Sequence, residues 1–356
     1  MAAAGILPYQ ELKEAAEGGA VTSPAPVTEE QVQPASLDLR LGRRAYRLRA
    51  SFLPGPNATV LDRLPEFIMH TIELTPGAVL ETGCVYLVPL MECLALPAGI
   101  SGFANPKSST GRLDVFTRLI TDHSSGFDRV CDGYRGPLFA EICPQTFSIL
   151  VREGSSLSQL RLRRGVAHVE DAELSRLQAR EGIVDCAGDI DQGLALTVDL
   201  VGEGAMLGFR AKRHSGVVDV DRIAAYDPVD FWEPIPAGRR GPLILDPDEF
   251  YILASKERVR IPASHAAEMV PFNPLVGEFR VHYAGFLDPG FGYGPSGASR
   301  IVLEVRSHEV PFALEHGQVV GRLQFERMAA APTRLYGRDI RSHYEGQSLK
   351  LSKHFR

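Results

Sequence analysis

Apolar residues gather along this chain in short runs that glycine and proline keep interrupting, with 34 glycines and 25 prolines in 356 residues. Runs of this kind, bounded by turn formers, predict many short strands. Cys84–Val88, Phe147–Val151, Glu249–Ala254, Arg300–Val305 and Val319–Phe325 are the plainest of them. Helical spacing is confined to Tyr9–Ala16, Ala172–Ala179 and Val220–Ala225. Evenly spaced short strands point to a mainly β chain of barrel or jelly-roll-like architecture with a few short helices.

The pattern then repeats. Pro-Ala-Ser-Leu-Asp-Leu at 34–39 returns as Ala-Leu-Thr-Val-Asp-Leu at 195–200. The run 85–99, Val-Tyr-Leu-Val-Pro ending in Leu-Pro-Ala-Gly, returns at 250–264 as Phe-Tyr-Ile-Leu-Ala ending in Ile-Pro-Ala-Ser. Asn105-Pro106 returns as Asn273-Pro274, and Pro137–Glu141 as Arg300–Glu304. In each copy a glycine, Gly154 or Gly317, lies 13 residues beyond the glutamate. Offsets of 161 to 168 residues in one consistent order mean two tandem domains rather than a solenoid. The expected division is 1–182 and 183–356, after the charged stretch Glu170–Glu181.

Composition narrows the partners. The chain is 44% hydrophobic, enough for real cores. A net charge of −6 argues against bulk nucleic-acid binding, so an anionic ligand needs a local basic pocket. The cysteines (Cys84, Cys93, Cys131, Cys143, Cys186) form no CxxC pair and read as thiols of a reducing, cytosolic compartment. The first residues, Met1–Pro8, lack a charged start and a long apolar run, which reads as no signal peptide. No stretch approaches the ~20 apolar residues of a membrane span.

The chemistry concentrates between 102 and 141. Lys107, Ser108, Ser109, Thr110, Gly111 and Arg112 put two cations and three hydroxyls around a glycine. That is a cradle for a polyphosphate, with donors on every side and a backbone that can come close. It is no Walker loop, because Gly-x-x-x-x-Gly-Lys is missing. The bland alternative is a polar helix cap, since Ser and Thr are ordinary N-cap residues. A lone acid, Glu141, follows in an apolar strand, and Glu304 is its counterpart in the second copy. Asp38 and Asp199, in apolar strands, read as structural; Trp232 reads as a packing residue. The alternation Arg161-Leu-Arg-Leu-Arg-Arg164 reads as the solvated face of a strand, the Gly290–Gly297 run as a mobile lid, and His343 and Tyr344 also fit a disordered tail.

At these residues the chain resembles the dCTP deaminase branch of the dUTPase-like β fold, once per half. Ala35–Gly42 is similar to the family's first strand, and Lys107–Arg112 to its phosphate motif, usually written Arg-Ser-Ser-x-x-Arg. Lys107 keeps the charge of the usual arginine but not its fork. The second half has Asn273–Arg280 there, without the serines. It keeps the base pocket instead: His282–Gly290 resembles the hairpin whose alanine and aspartate, here Ala284 and Asp288, flank base and sugar. Asp288 also opens Asp-Pro-Gly, a common turn. Those two hairpin positions in the first half are Thr121 and Cys131. Ile301–Glu304, with Val302, matches the strand of the catalytic glutamate. Tyr336, His343 and Gln347 match the family's Tyr, Lys and Gln in spacing, with His for Lys.

The resemblance implies a site between neighbouring copies, one giving the phosphate contacts and the other the base pocket. The first half would then bind the triphosphate, and the second would supply Asp288, Glu304 and the tail. Glu141 stays open as a relic or a second catalytic acid. The implied reaction is hydrolysis of dCTP to dUTP and ammonia. The zinc signature of most nucleobase deaminases, His-x-Glu with Pro-Cys-x-x-Cys, is missing. Water activation would fall to a carboxylate that burial keeps near its protonated form. Glu304 would move the proton, with Ser108 and Arg112 orienting water and carboxylate. Mg²⁺ is expected only with the triphosphate, and dTTP or dUTP are further nucleotides for such a site. Family members assemble around a threefold axis, which implies a homo-oligomer, a trimer. Two rivals stay open: a bifunctional enzyme that continues to dUMP, and a nucleotide-binding regulator without turnover.

Overall fold

From Leu37–Leu39 onward, each strand of the first half has a counterpart in the second. A computed structural model describes residues 3–202, 204–238, 241–271, 279–282, 285–295, 297–307, 310–340, 344 and 346–356. In the first half one sheet runs Gly5–Ile6, Ser158–Arg164, Ile100–Pro106, Arg129–Val130, with Leu37–Leu39 beside Ser158–Arg164. The other runs Ile68–Glu73, Arg44–Leu48, Val85–Ala95, Arg135–Pro144, Val115–Thr121. The second half repeats both: Leu194–Thr197, Val319–Arg327, His265–Pro271, Phe286–Leu287, and Trp232–Pro236, Met206–Ala211, Phe250–Val259, Ser299–Ser307, Phe279–His282. The fold is mainly β with few short helices. The paired glycines of the repeat serve one backbone need: Gly154 and Gly317 have φ of +87° and +80°, the left-handed region, in the turn before each half's last long strand.

Two large cores fill the sheets. One holds Leu37, Leu39, Val88, Leu119, Leu138 and Leu160, and continues into Trp232, Phe250, Ile252 and Val302 of the second half. The other holds Leu196, Leu253, Leu303 and Leu323. The helix Asp171–Glu181 buries Leu174 and Leu177 in this second core, beside Val169. The second core thus begins upstream of residue 183. Phe147, Phe231, Trp232 and Phe355 pack edge to face across the junction, and Val218–Asp219 pairs in parallel with Ile149–Leu150. Trp232 is a packing residue at the centre of that cluster.

Three sequence expectations change. Val220–Ala225 is not a helix. Asp219 and Asp221 grip Arg152 (2.7 and 3.2 Å), and the N–H groups of Ala224 and Ala225 donate to the tail carbonyls of Lys353 and His354. These partners fix an irregular backbone. Arg161 is not solvated: it is 0% exposed, because its strand face meets the second half rather than water. The 290–297 run is no free lid where described. Phe291 is buried and lies 5.6 Å from the Tyr336 ring, and a Cβ at Gly292 would sit 2.2 Å from the Val259 carbonyl. Among the described residues, no helix is long and apolar enough to cross a membrane.

Candidate active site

The junction leaves a cavity of about 220 Å³ walled by both halves. Its first-half wall starts where the strand Ile100–Pro106 ends. The N–H of Lys107 still bonds Leu157 (2.9 Å), and the chain then turns tightly, with Thr110 and Gly111 donating back to the Lys107 carbonyl (2.8 and 3.0 Å). The turn sets Lys107, Ser108, Ser109 and Arg112 along the cavity, while Thr110 and Gly111 are buried behind it and do not line it. Lys107 is ion-paired with Asp38. Ser108 lines the cavity, and its Oγ makes no hydrogen bond among the described residues.

Glu304 forms the opposite wall. Strand alternation puts Ile301, Leu303 and Val305 in the second core and turns Val302 and Glu304 toward the first half. Glu304 is 4% exposed, with Oε1 3.8 Å from Arg112 Nε. Burial raises its pKa to about 8, against the opposing pull of Arg112. Arg112 is itself held from all sides. Its guanidinium donates to Gln347 Oε1 (2.7 Å) and the Lys350 carbonyl (3.0 Å), and the Tyr344 ring centroid lies 4.0 Å from its Cζ. Its buried Nε has no hydrogen-bond partner among the described residues.

Asp288 lines the cavity from the second half and accepts a hydrogen bond from Arg161 Nη2 (3.1 Å). Burial raises its pKa, and Arg161 opposes that shift. Arg161 also stacks on Phe286 (4.0 Å) and lies 3.6 Å from Glu326. Val302, Tyr336 and Gln347 line the same space. Ala284 and His343 lie outside the described residues. Glu141 does not line the cavity. It is 2% exposed and accepts from Arg118 Nη2 and Nε (2.5 and 3.1 Å), whose guanidinium lies 3.5 Å over Phe127.

Sequence reasoning missed Gln33, Gln159 and Lys353 as cavity residues, and it took Asp38 for structural. Asp38 and Gln159 face each other across one ladder step, and Gln159 precedes Arg161 by two residues on the same strand face. An amide and a guanidinium alternating with apolar residues was a legible sign of a polar site on that face. Nothing local marks Lys353.

Fold and cleft together define a two-domain β enzyme for an anionic substrate, with cations along one wall and a proton-holding carboxyl on the other. Sequence models of the 2'-deoxycytidine 5'-triphosphate deaminase N-terminal and C-terminal domains match residues 3–166 and 170–355. The chain belongs to the 2'-deoxycytidine 5'-triphosphate deaminase family. It is similar to the crystal structure of 2'-deoxycytidine 5'-triphosphate deaminase from Agrobacterium tumefaciens, at 57% identity and a TM-score of 0.89, covering 92% of this chain and 99% of that one. A dCTP deaminase of Halorubrum lacusprofundi is 29% identical over 41% of this chain and 70% of its own. A dUMP-forming dCTP deaminase of Corynebacterium diphtheriae is 30% identical over 39% and 72%.

Proposed function

We propose that this chain hydrolyses dCTP to dUTP and ammonia in the cleft between its halves. One observation carries the assignment of roles: the Glu304 carboxyl, with a pKa raised to about 8, sits 3.8 Å from a buried guanidinium in a cavity lined by cations. The triphosphate lies along Lys107–Arg112, and the base lies against Val302, Asp288 and Glu304. Mg²⁺ enters as part of the substrate, on the phosphate oxygens.

Water held by Ser108 and Arg112 adds to C4 of cytosine, forming the C4–O bond. The Glu304 carboxylate takes the water's first proton and delivers it to N3. The second proton moves from the new hydroxyl to the amino group. The C4–N bond then breaks, ammonia leaves, and the 4-oxo group of uracil remains. A carboxyl with a pKa near neutrality suits both directions of transfer. Gln347 and Lys350 hold Arg112, and Arg161 holds Asp288, so both act as positioning contacts. We read each half as a dUTPase-like barrel or jelly-roll-like domain.

The test is purified protein with dCTP and Mg²⁺, with a chelator control, followed by nucleotide chromatography and an ammonia assay. The expected products are dUTP and equimolar ammonia. Product leaving as dUMP would add the second hydrolysis that the name of the Corynebacterium relative carries. Binding of dCTP without ammonia would overturn the reading.

A further inference from the structure

The last residues of the chain do more than cover the site. Ser352 Oγ donates to the Ser109 carbonyl (2.8 Å), which pins the tail to the 107–112 turn. His354 is buried, with Nδ1 2.9 Å from Ser352 Oγ and Nε2 2.9 Å from the Val220 carbonyl. Phe355 is locked into the aromatic cluster with Phe231 and Trp232. Lys353 sits between these anchors. Its N–H donates to Tyr344 Oη (3.0 Å), and its carbonyl accepts from Ala224 (3.0 Å). The backbone is thus fixed on both sides of a lysine whose side chain lines the cavity.

That ammonium has no hydrogen bond or ion pair among the described residues. The charged groups facing it are Lys107, Asp38 and Asp221; burial, first, and Lys107 both lower its pKa. Neither acid is spare, because Asp38 already pairs with Lys107 and Asp221 with Arg152 and Ser155. The cavity therefore carries three cations, Lys107, Arg112 and Lys353; of its acids, Asp38 is paired with Lys107, Asp288 with Arg161, and Glu304 holds its proton below about pH 8. Two half-buried ammonium groups on one cavity wall are costly unless an anion with several charges lies between them.

We propose that Lys353 is a substrate-binding residue that takes the outer phosphates of the triphosphate, opposite Lys107. The assignment rests on the reading of this cleft as the nucleotide site. It also makes the chain's end a selector of polyphosphate length: a monophosphate would leave Lys353 unsatisfied. The first half supplies one side of the grip, and the tail of the second half closes the other.

The test compares wild type with Lys353→Met and Lys353→Arg in calorimetric titrations with inorganic tripolyphosphate, dCTP and dCMP, alongside steady-state kinetics. Loss of one charge-assisted contact predicts roughly 10- to 100-fold weaker binding of tripolyphosphate and dCTP to Lys353→Met, with dCMP unchanged. KM for dCTP rises in parallel while kcat stays close to wild type, and Lys353→Arg recovers most of the loss. Wild-type tripolyphosphate affinity in Lys353→Met overturns the proposal. Equal loss of dCMP and dCTP also overturns it, since that marks a purely structural tail. Tripolyphosphate binding that depends on Lys353 in a protein releasing no ammonia would keep this inference and sink the deaminase reading.

Discussion

Glu304 and Glu141 occupy matching register positions on matching strands, yet they end in different surroundings. Glu304 stands opposite Ile252 and His282, and Glu141 opposite Leu87 and Arg118. The difference comes from what covers each sheet. In the second half, Val302 and Ile252 beside Glu304 pack into the first half's core and leave a cavity at the seam. In the first half, Phe139 and Leu87 beside Glu141 are covered by Phe52, Val60 and Leu64, with Phe67, all from the connection between Arg44–Leu48 and Ile68–Glu73. The corresponding connection of the second half, between Met206–Ala211 and Trp232–Pro236, reaches across instead, pairing Val218–Asp219 with the first half. One insertion point thus seals a face and the other joins two. A buried acid faces a ligand space only where the seam stays open. The sealed face also removes the surface through which Glu141 could meet another copy's phosphate motif, so we expect one site per chain whatever the oligomer.

The sharpest way to break this comparison is to neutralise each acid in turn. Glu304→Gln keeps the shape and removes the proton acceptor, so kcat for ammonia release should fall by roughly 10²- to 10⁴-fold. Glu141→Gln should leave kcat within about twofold, because its partner is Arg118 and not a ligand. A large loss in both variants would mean that the sealed face takes part in turnover after all.

Next in size is the pH dependence. The carboxylate is the form that accepts water's proton, and burial holds Glu304 protonated up to about 8. Hence kcat/KM should climb about tenfold per pH unit below 8 and level off above it. A profile that falls through that point would assign the protonated acid as the starting form and reverse the order of the proton transfers.

Much of this was legible in the sequence, for physical reasons that also explain the failures. Strands bounded by glycine and proline, and a repeat in fixed order, are local signals, so the β character of Val85–Ala95, Phe250–Val259 and Ser299–Ser307 could be read directly. The resemblance picked out Lys107, Ser108, Ser109, Arg112, Asp288, Val302, Glu304, Tyr336 and Gln347, and these side chains meet in one cavity. Arg161 misled because alternating arginine and leucine looks the same whether the polar face meets water or the buried acids Asp288 and Glu326 of a distant segment. Val220–Ala225 misled because its backbone is fixed by Lys353 and His354, more than 120 residues away. Lys353 carries no local signal at all; only the tertiary path of the tail brings it beside Lys107.

The smallest expected effect concerns stability, and here the two acids should differ in sign. An unfolded glutamate titrates near 4.5, whereas folded Glu304 keeps its proton to about 8, so across that window unfolding releases a proton and stability falls as pH rises. Glutamine cannot titrate. Glu304→Gln should therefore melt higher than wild type at pH 8, and the gain should vanish near pH 4. Glu141→Gln removes one partner of a pair whose carboxylate is almost wholly buried and whose Arg118 side chain is 25% exposed. Water can reach part of the guanidinium, so the loss should be about 1–3 kcal/mol, below that of a fully buried pair. Differential scanning calorimetry of both variants at pH 5 and pH 8 measures this directly. If both glutamines destabilise equally at pH 8, Glu304 is ionised in the folded chain. The contrast between an open and a sealed acid would then rest on kinetics alone.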